Sequence, residues 1–592
     1  MKSKLPLSYY AARKALRLSS HEIYCEIMTE LFQSYDHFGF VKSLSGHFRS
    51  KRFDLALVLA DSLSGAVHPD ATTHFVANQF SNMIRKYPWL SDVVKTDPEG
   101  QAIRTFNRFE RRCKLLNRKF VLYEKLRNPI SSEIRSMQDF ISHVIGSEPP
   151  LETILQRSCS FGAGASLGVH GNATNLRRKI HSEGWSVSPG AFTYSYWALM
   201  SDPNLRDVLL KNRSGISCLD WLQSKSEYAR KTRIVNYNKI SFVPKTAKTH
   251  RAIAVEPLLN GFVQKGIDVF MRSCLKRVGI DLSDQSLNQR LARSGSINDS
   301  EDSFATIDLS SASDSISIGL ARLLLPPAWF DFLNSVRSHS YELGGNVYRY
   351  HKFCSMGNGF CFPLETLIFA ACCHASGCVN PGIDFSVYGD DIIVRSGRSK
   401  EVLSLLKRIG FLPNVDKTFT SGPFRESCGS DWFGGVDVRP YTLDYRLDSI
   451  ESLFKYLNLT RRSELTSSFF ESTWSVVLNH VPVDFRFFRP FKGNADSGID
   501  SWADQHLTSP HCRYNYRQWN WTCKSLDHKA AVDSAPRDRY RSDSTDMYAL
   551  LSGLSSRWTG DVEYTVRRKT KTTVRLVTSS SADSGWLPPS FS

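Results

Sequence analysis

The sequence predicts an α+β chain in which short strands alternate with apolar helices, and three observations predict it. Phe385-Ser386-Val387 and Ile392-Ile393-Val394 are β-rich runs flanking Tyr388-Gly389-Asp390-Asp391, which reads as a hairpin. Phe304 to Ile307 has strand character. Apolar runs of helical type cover Leu364 to Ala371 and Glu401 to Ile409, the second stopped by Gly410.

The hairpin carries chemistry. Adjacent carboxylates at its tip, Asp390 and Asp391, can reach one ligand, whereas inside a regular strand they would point to opposite faces. Gly389 lets the backbone tighten there. Acids pressed together repel unless neutralised, so the pair implies Mg²⁺ or Mn²⁺, although the tetrapeptide alone also reads as a solvated turn. Asp308 ends the first strand, and the serines after it suit a turn that opens a helix. A strand-end acid beside a hairpin-tip pair is what two-metal phosphoryl transfer requires. Asp308 and Asp390 are the bridging ligands and Asp391 supports them; on local grounds Asp308 reads equally as a helix N-cap.

Three further segments join them. Ser355-Met356-Gly357-Asn358-Gly359 is a glycine loop feeding an apolar helix, where backbone can approach a nucleotide or template. It is also an ordinary loop before a core helix. From Arg230 to Arg251 the chain has seven Lys or Arg and no acid. Lys245, Lys248 and Arg251 in a cationic loop could track a triphosphate; the alternative is a solvated face. Asn414 to Phe419 brings Lys417, placed to protonate a departing pyrophosphate.

Taken along the chain as cationic loop, Asp308 strand, glycine loop with helix, Gly-Asp-Asp hairpin and lysine segment, they resemble motifs F, A, B, C and D of viral RNA-directed RNA polymerases. They are more similar still to the replicase beta subunits of RNA bacteriophages, the leviviral, phage Q-beta-like enzymes. The resembling strings include Val243 to Pro257, Gly279 to Arg290, Asp308 to Ser317, Ser355 to Gly359 and Tyr388 to Ile393. Gly422 to Gly429 and Gly435 to Val438 complete them. The resemblance implies a right-handed polymerase with fingers, palm and thumb, its antiparallel palm sheet backed by helices. Residues 1–300 would be mainly fingers and N-terminal region, with motif F at 243–257. Residues 301–440 would be palm with motifs A to E, and 441–592 a mostly helical thumb and C-terminal region. It also implies two Mg²⁺ ions (Mn²⁺ possible) on Asp308, Asp390 and Asp391, and a triphosphate held by Lys245, Lys248 and Arg251. Asp314 would read the ribose 2′-hydroxyl, Lys417 would be the motif D lysine, and Ser355, Gly357 and Asn358 would line the nucleotide site. Cys361 and Glu365 stand where many RNA polymerases have threonine and asparagine; the phage enzymes share the glutamate. Implied partners are RNA, ribonucleoside triphosphates, host translation elongation factors Tu and Ts, and a small-subunit ribosomal protein.

Composition agrees. The 592-residue chain carries a formal net charge of +17, which suits a polyanionic partner, and 12% aromatic residues, which suit base stacking. No apolar run reaches membrane-spanning length and the N-terminus lacks a signal peptide, so the expectation is the cytoplasm of a bacterial host. Thirteen cysteines without paired spacings read as reduced thiols, and Cys372, Cys373 and Cys378 as buried thiols rather than zinc ligands. Thr105 to Arg127 reads as an amphipathic helix with a basic outer face, Tyr514 to Lys524 as a stacking or packing segment, and Tyr564 to Val577 as an exposed strand. Serines 579 to 581 read as opening a loose terminus.

The reading is template-directed RNA synthesis. A reverse transcriptase and a catalytically silent RNA-binding scaffold are its rivals. Asp314 and the phage-like strings weigh against the first, and the intact acidic set against the second.

Overall fold

The computed structural model describes residues 7–125, 131–169, 176–210, 218–489, 494–501, 509–532, 548 and 567–580. The strand signals fold as read. Phe304–Ile307, Asp391–Arg395 and Phe385–Tyr388 form an antiparallel sheet in that spatial order, with Asp391–Arg395 in the middle. All are buried runs of β-branched and aromatic residues, as strands covered on both faces should be. Helices Ser286–Ile297 and Cys361–Ala375 pack beside this sheet, so the chain is mixed α+β with an antiparallel sheet backed by helices. Cys372, Cys373 and Cys378 are buried thiols there. Ser399–Ile409 ends at Gly410, whose φ of 113° forms the left-handed cap that stops the helix.

Two large apolar cores organise the rest. One gathers side chains from Met137 to Phe411 around the buried 361–375 helix. The other joins the N-terminal helices, Leu7–Ser34 through Pro88–Val94, to Ile450–Leu459 and Glu464–His480. The first ninety or so residues therefore pack with the segment after 440 rather than with the chain that directly follows them.

Two expectations need correction. The basic stretch is not a loop but a long hairpin, Tyr237–Thr246 paired with Thr249–Val255, extended by Ser340–Leu343 and Asn346–Arg349 into a four-stranded sheet. Its lysines and threonines lack the period-2 apolar signal, and its pairing to residue 340 is remote in sequence. Among the described residues, the region after 440 is not mostly helical either. After two helices it turns to strands, with Cys512–Asn515, Asn520–Val532 and Arg567–Ser580 in one antiparallel sheet. The Tyr564 to Val577 reading meets the last of these from residue 567; Tyr564 and residue 581 lie outside the described residues. Tyr514 packs edge-on against Trp521, which is buried. Helix Pro98–Lys125 buries Phe106, Phe109 and Cys113 and exposes Arg104, Arg108, Arg111 and Lys114. Among the described residues no helix is long and apolar enough to cross a membrane.

Candidate active site

Strand register decides where the acids meet. Ile307 pairs with Ile392, so Asp308, one residue beyond the first strand, lies at the same sheet end as Asp391. Tyr388 pairs with Asp391, leaving Gly389 and Asp390 as a two-residue turn. Gly389 has φ +63°, and a Cβ there would stand 2.3 Å from Phe362 Cε2, so both conformation and space require glycine.

The three acids are within electrostatic reach of one another. Burial, then Asp390 and Asp308, lift Asp391 to about 6. Burial also raises Asp308, opposed by Lys417 and by a hydrogen bond from Asn414. Asn414 holds Asp308 twice: Nδ2 donates to Oδ2 at 2.8 Å and the backbone N–H to the carbonyl at 2.9 Å. Asp308 does not cap a helix. The next α-helix starts at Ile318 and is capped by Ser317.

Among the described residues no group of three or more His, Cys, Asp or Glu side chains is already arranged to hold a metal ion. Asp390 and Asp308 both raise Asp391, a repulsion between oxygen donors that a hard divalent cation would relieve. Behind the acids, Asn288 accepts from Ser386 Oγ at 2.6 Å and donates to the Asp391 carbonyl at 3.3 Å, fixing the hairpin to the 286–297 helix. Arg425, fully buried, donates to the Phe304 carbonyl at 2.6 Å and ties the 424–437 sheet to the Asp308 strand.

Cations face these acids. Lys245 is lowered by burial, then by Arg251 and Lys417, and drawn the other way by Asp308 and Asp390; it belongs to the site. Lys417 donates to Glu426 Oε1 at 2.8 Å; burial lowers its pKa, but Glu426, Asp308 and Asp431 together raise it. Lys248 is placed differently, in an ion pair with Asp61, which also holds Arg85 at 2.6 Å. Lys86, from the end of helix Ala71–Lys86, stands 3.5 Å from the Lys245 carbonyl and feels Lys245 and Lys417. No motif marks Lys86; only the fold brings it here.

The glycine loop lies against the basic hairpin. Ala254 N–H donates to the Met356 carbonyl at 2.8 Å, and a Cβ on Gly357 would stand 2.2 Å from the Ala254 carbonyl. Ser355 and Asn358 are buried, and Asn358 Oδ1 accepts from Phe360 N–H, so that side chain shapes the entry to the 361–375 helix. Asp314 lies in a short 3₁₀ turn, Ser313–Ser315, with its carboxylate on Lys352 at 2.7 Å. Glu365 accepts from Ser313 Oγ at 2.6 Å. Asn414 and Asn288 sit in strings that the sequence singles out, but nothing local reveals that their amides serve the acids.

The family model described as RNA replicase, beta-chain, matches residues 21–590. The chain is 36% identical over 419 residues to the RNA-directed RNA polymerase beta chain of Enterobacteria phage fr, an alignment covering 69% of this chain and 72% of that one. It is 39% identical over 371 residues to the RNA-directed RNA polymerase subunit beta of Escherichia virus Qbeta, covering 62% of this chain and 57% of that one. A solved RNA-dependent RNA polymerase of BmCPV at its elongation state aligns with 58% of this chain and 32% of its own, at 11% identity and a TM-score of 0.33.

Proposed function

Because the chain belongs to the RNA replicase beta-chain family and is an RNA-directed RNA polymerase of an RNA phage, we propose that it copies RNA at the acid-lined end of the antiparallel sheet. The observation that carries this reading is the register Ile307 to Ile392, which gathers Asp308, Asp390 and Asp391 from segments eighty residues apart. Those three would hold divalent cations, Mg²⁺ or Mn²⁺, which when bound neutralise charge on the reacting phosphates and ease ionisation of the attacking 3′-hydroxyl.

The chain's own groups do the rest. Lys245 and Arg251, with Lys86 beside them, bind and orient the triphosphate. Lys417 keeps its proton at neutral pH and passes it to the departing pyrophosphate. Asp314 accepts a hydrogen bond from the ribose 2′-hydroxyl. The 301–440 region is then palm, the 237–255 hairpin part of the fingers, and the helices after 440 part of the thumb. Host elongation factors Tu and Ts and a small-subunit ribosomal protein are proposed companions in the host cytoplasm, testable by purifying the chain from infected cells.

The test of the site is Asp390→Asn. Template-directed incorporation is expected to collapse by at least roughly a hundred-fold while RNA affinity stays within about two-fold. Undiminished incorporation would remove Asp390 from the chemistry. A preference for ribonucleotides over deoxyribonucleotides separates this reading from reverse transcription.

A further inference from the structure

Lys352 is a lysine in the protein interior, its side chain 0% exposed. Its ammonium donates to Asp314 Oδ1 at 2.7 Å, lies 3.8 Å from Glu110 Oε1, and stands 3.7 Å from the centroid of the Phe106 ring. Glu110 in turn accepts from the His351 backbone N–H at 2.8 Å. Nothing in the chemistry above uses this lysine. A desolvated ammonium between two carboxylates and an aromatic face is held by attractions that water does not screen, so it has one position.

The consequence falls on Asp314. One carboxylate oxygen is occupied by Lys352, which fixes the rotamer. The other has no hydrogen-bond partner among the described residues, and the side chain is 20% exposed. The backbone around it is fixed as well. Cys113 Sγ donates to the Asp314 carbonyl at 3.4 Å, and Ser313 is hydrogen-bonded to Glu365. Helices Pro98–Lys125 and Cys361–Ala375 thus grip the same short turn from two sides.

We propose that Lys352 is a positioning residue for sugar selection, holding the Asp314 carboxylate so that its free oxygen meets a ribose 2′-hydroxyl. This rests on the reading of Asp314 as the ribose-facing group. A fixed acceptor is satisfied by a hydroxyl and left unpaired by a deoxyribose, and a site built to bond a hydroxyl rejects the analogue that lacks it. A carboxylate free to rotate can turn to water instead and loses that discrimination.

The experiment uses the full chain on a primed RNA template and measures kcat/KM for ATP and for dATP. Asp314→Asn, Lys352→Met in a Glu110→Gln background (which removes the acid that the first change would strand) and Lys352→Arg are compared with the parent. Lys352→Met with Glu110→Gln is expected to lower the ATP-to-dATP ratio roughly ten-fold, chiefly through a higher KM for ATP. Lys352→Arg, which keeps the charge but moves its head, should lower the ratio by less and covers the case in which the double variant fails to fold. If Asp314→Asn lowers the ratio while the Lys352 variants lose ATP and dATP incorporation in equal proportion, Lys352 is merely structural and the inference is overturned. If Asp314→Asn leaves the ratio unchanged, the reading of Asp314 fails, and the role of Lys352 with it.

Discussion

Glu365 is the residue at which burial overrides charge. It is 3% exposed on the 361–375 helix, and burial above all, against the Ser313 hydrogen bond and aided by Asp390 and Asp314, lifts it to about 8. At neutral pH it is a neutral acid. The unfolded chain ionises this group near 4.5 and the fold near 8, so between those values the unfolded state releases a proton that the folded state keeps. Stability therefore falls as pH rises through that window and levels off above it. Gln copies the neutral form and can still accept from Ser313. Glu365→Gln is expected to match the parent in denaturant midpoint at about pH 4, below the unfolded value, and exceed it at about pH 8. A gap that stays constant with pH would mean the carboxyl is ionised in the fold. The sequence marks Glu365 only as a departure from other polymerases. Its protonation state depends on neighbours about fifty residues away (Ser313 and Asp314), which no local pattern reports.

The hairpin element was legible because every level of the sequence agrees there. β-branched and aromatic residues flank a glycine, and the turn needs the left-handed conformation that glycine supplies. The glycine is also required for space: Gly389→Ala would put a methyl 2.3 Å from a carbon of Phe362. Overpacking of that kind costs about 1–3 kcal/mol, and here it also displaces the turn that carries Asp390. Gly389→Ala is expected to lower the thermal midpoint and cut incorporation at least ten-fold, roughly a 1.4 kcal/mol effect. Adding Phe362→Leu should recover part of both, because the obstructing ring is gone; no recovery would place the fault in the positive φ alone. The basic hairpin was illegible for the opposite reason. Lys245, Thr246, Lys248 and Thr249 present no apolar face, so the strands are defined by partners and not by pattern. Likewise, the cap reading of Asp308 falls only with the helix start at Ile318, which Ser317 caps, and with the Asn414 amide on its carboxylate.

Across the whole molecule, the tip of the basic hairpin is built into a core to which its own strands do not belong. Ala247, at the turn, is buried within the core formed by the N-terminal helices and the helices after 440. Its N–H donates to the Arg85 carbonyl at 3.0 Å, and Asp61 grips both Arg85 and Lys248. The strand that carries Lys245 to the acids is thereby anchored at its far end to helices that begin the chain. Segments about 185 residues apart cooperate, so no local pattern around Lys248 points to Asp61. Removing Asp61 leaves two like charges side by side at the anchor. The pair is partly exposed, with side-chain exposures of 25–40%, so the loss is modest, about 1 kcal/mol. Asp61→Ala is expected to raise the nucleoside triphosphate KM roughly five-fold through a looser Lys245, with kcat at saturating nucleotide and RNA affinity little changed. It should also speed tryptic cleavage after Lys245 and Lys248, because a loosened tip exposes both. Raised salt should shrink the difference between variant and parent, since it screens the charges that Asp61 neutralises. An Asp61→Ala enzyme whose KM and rate of tryptic cleavage both match the parent would show that these ion pairs do not anchor the tip.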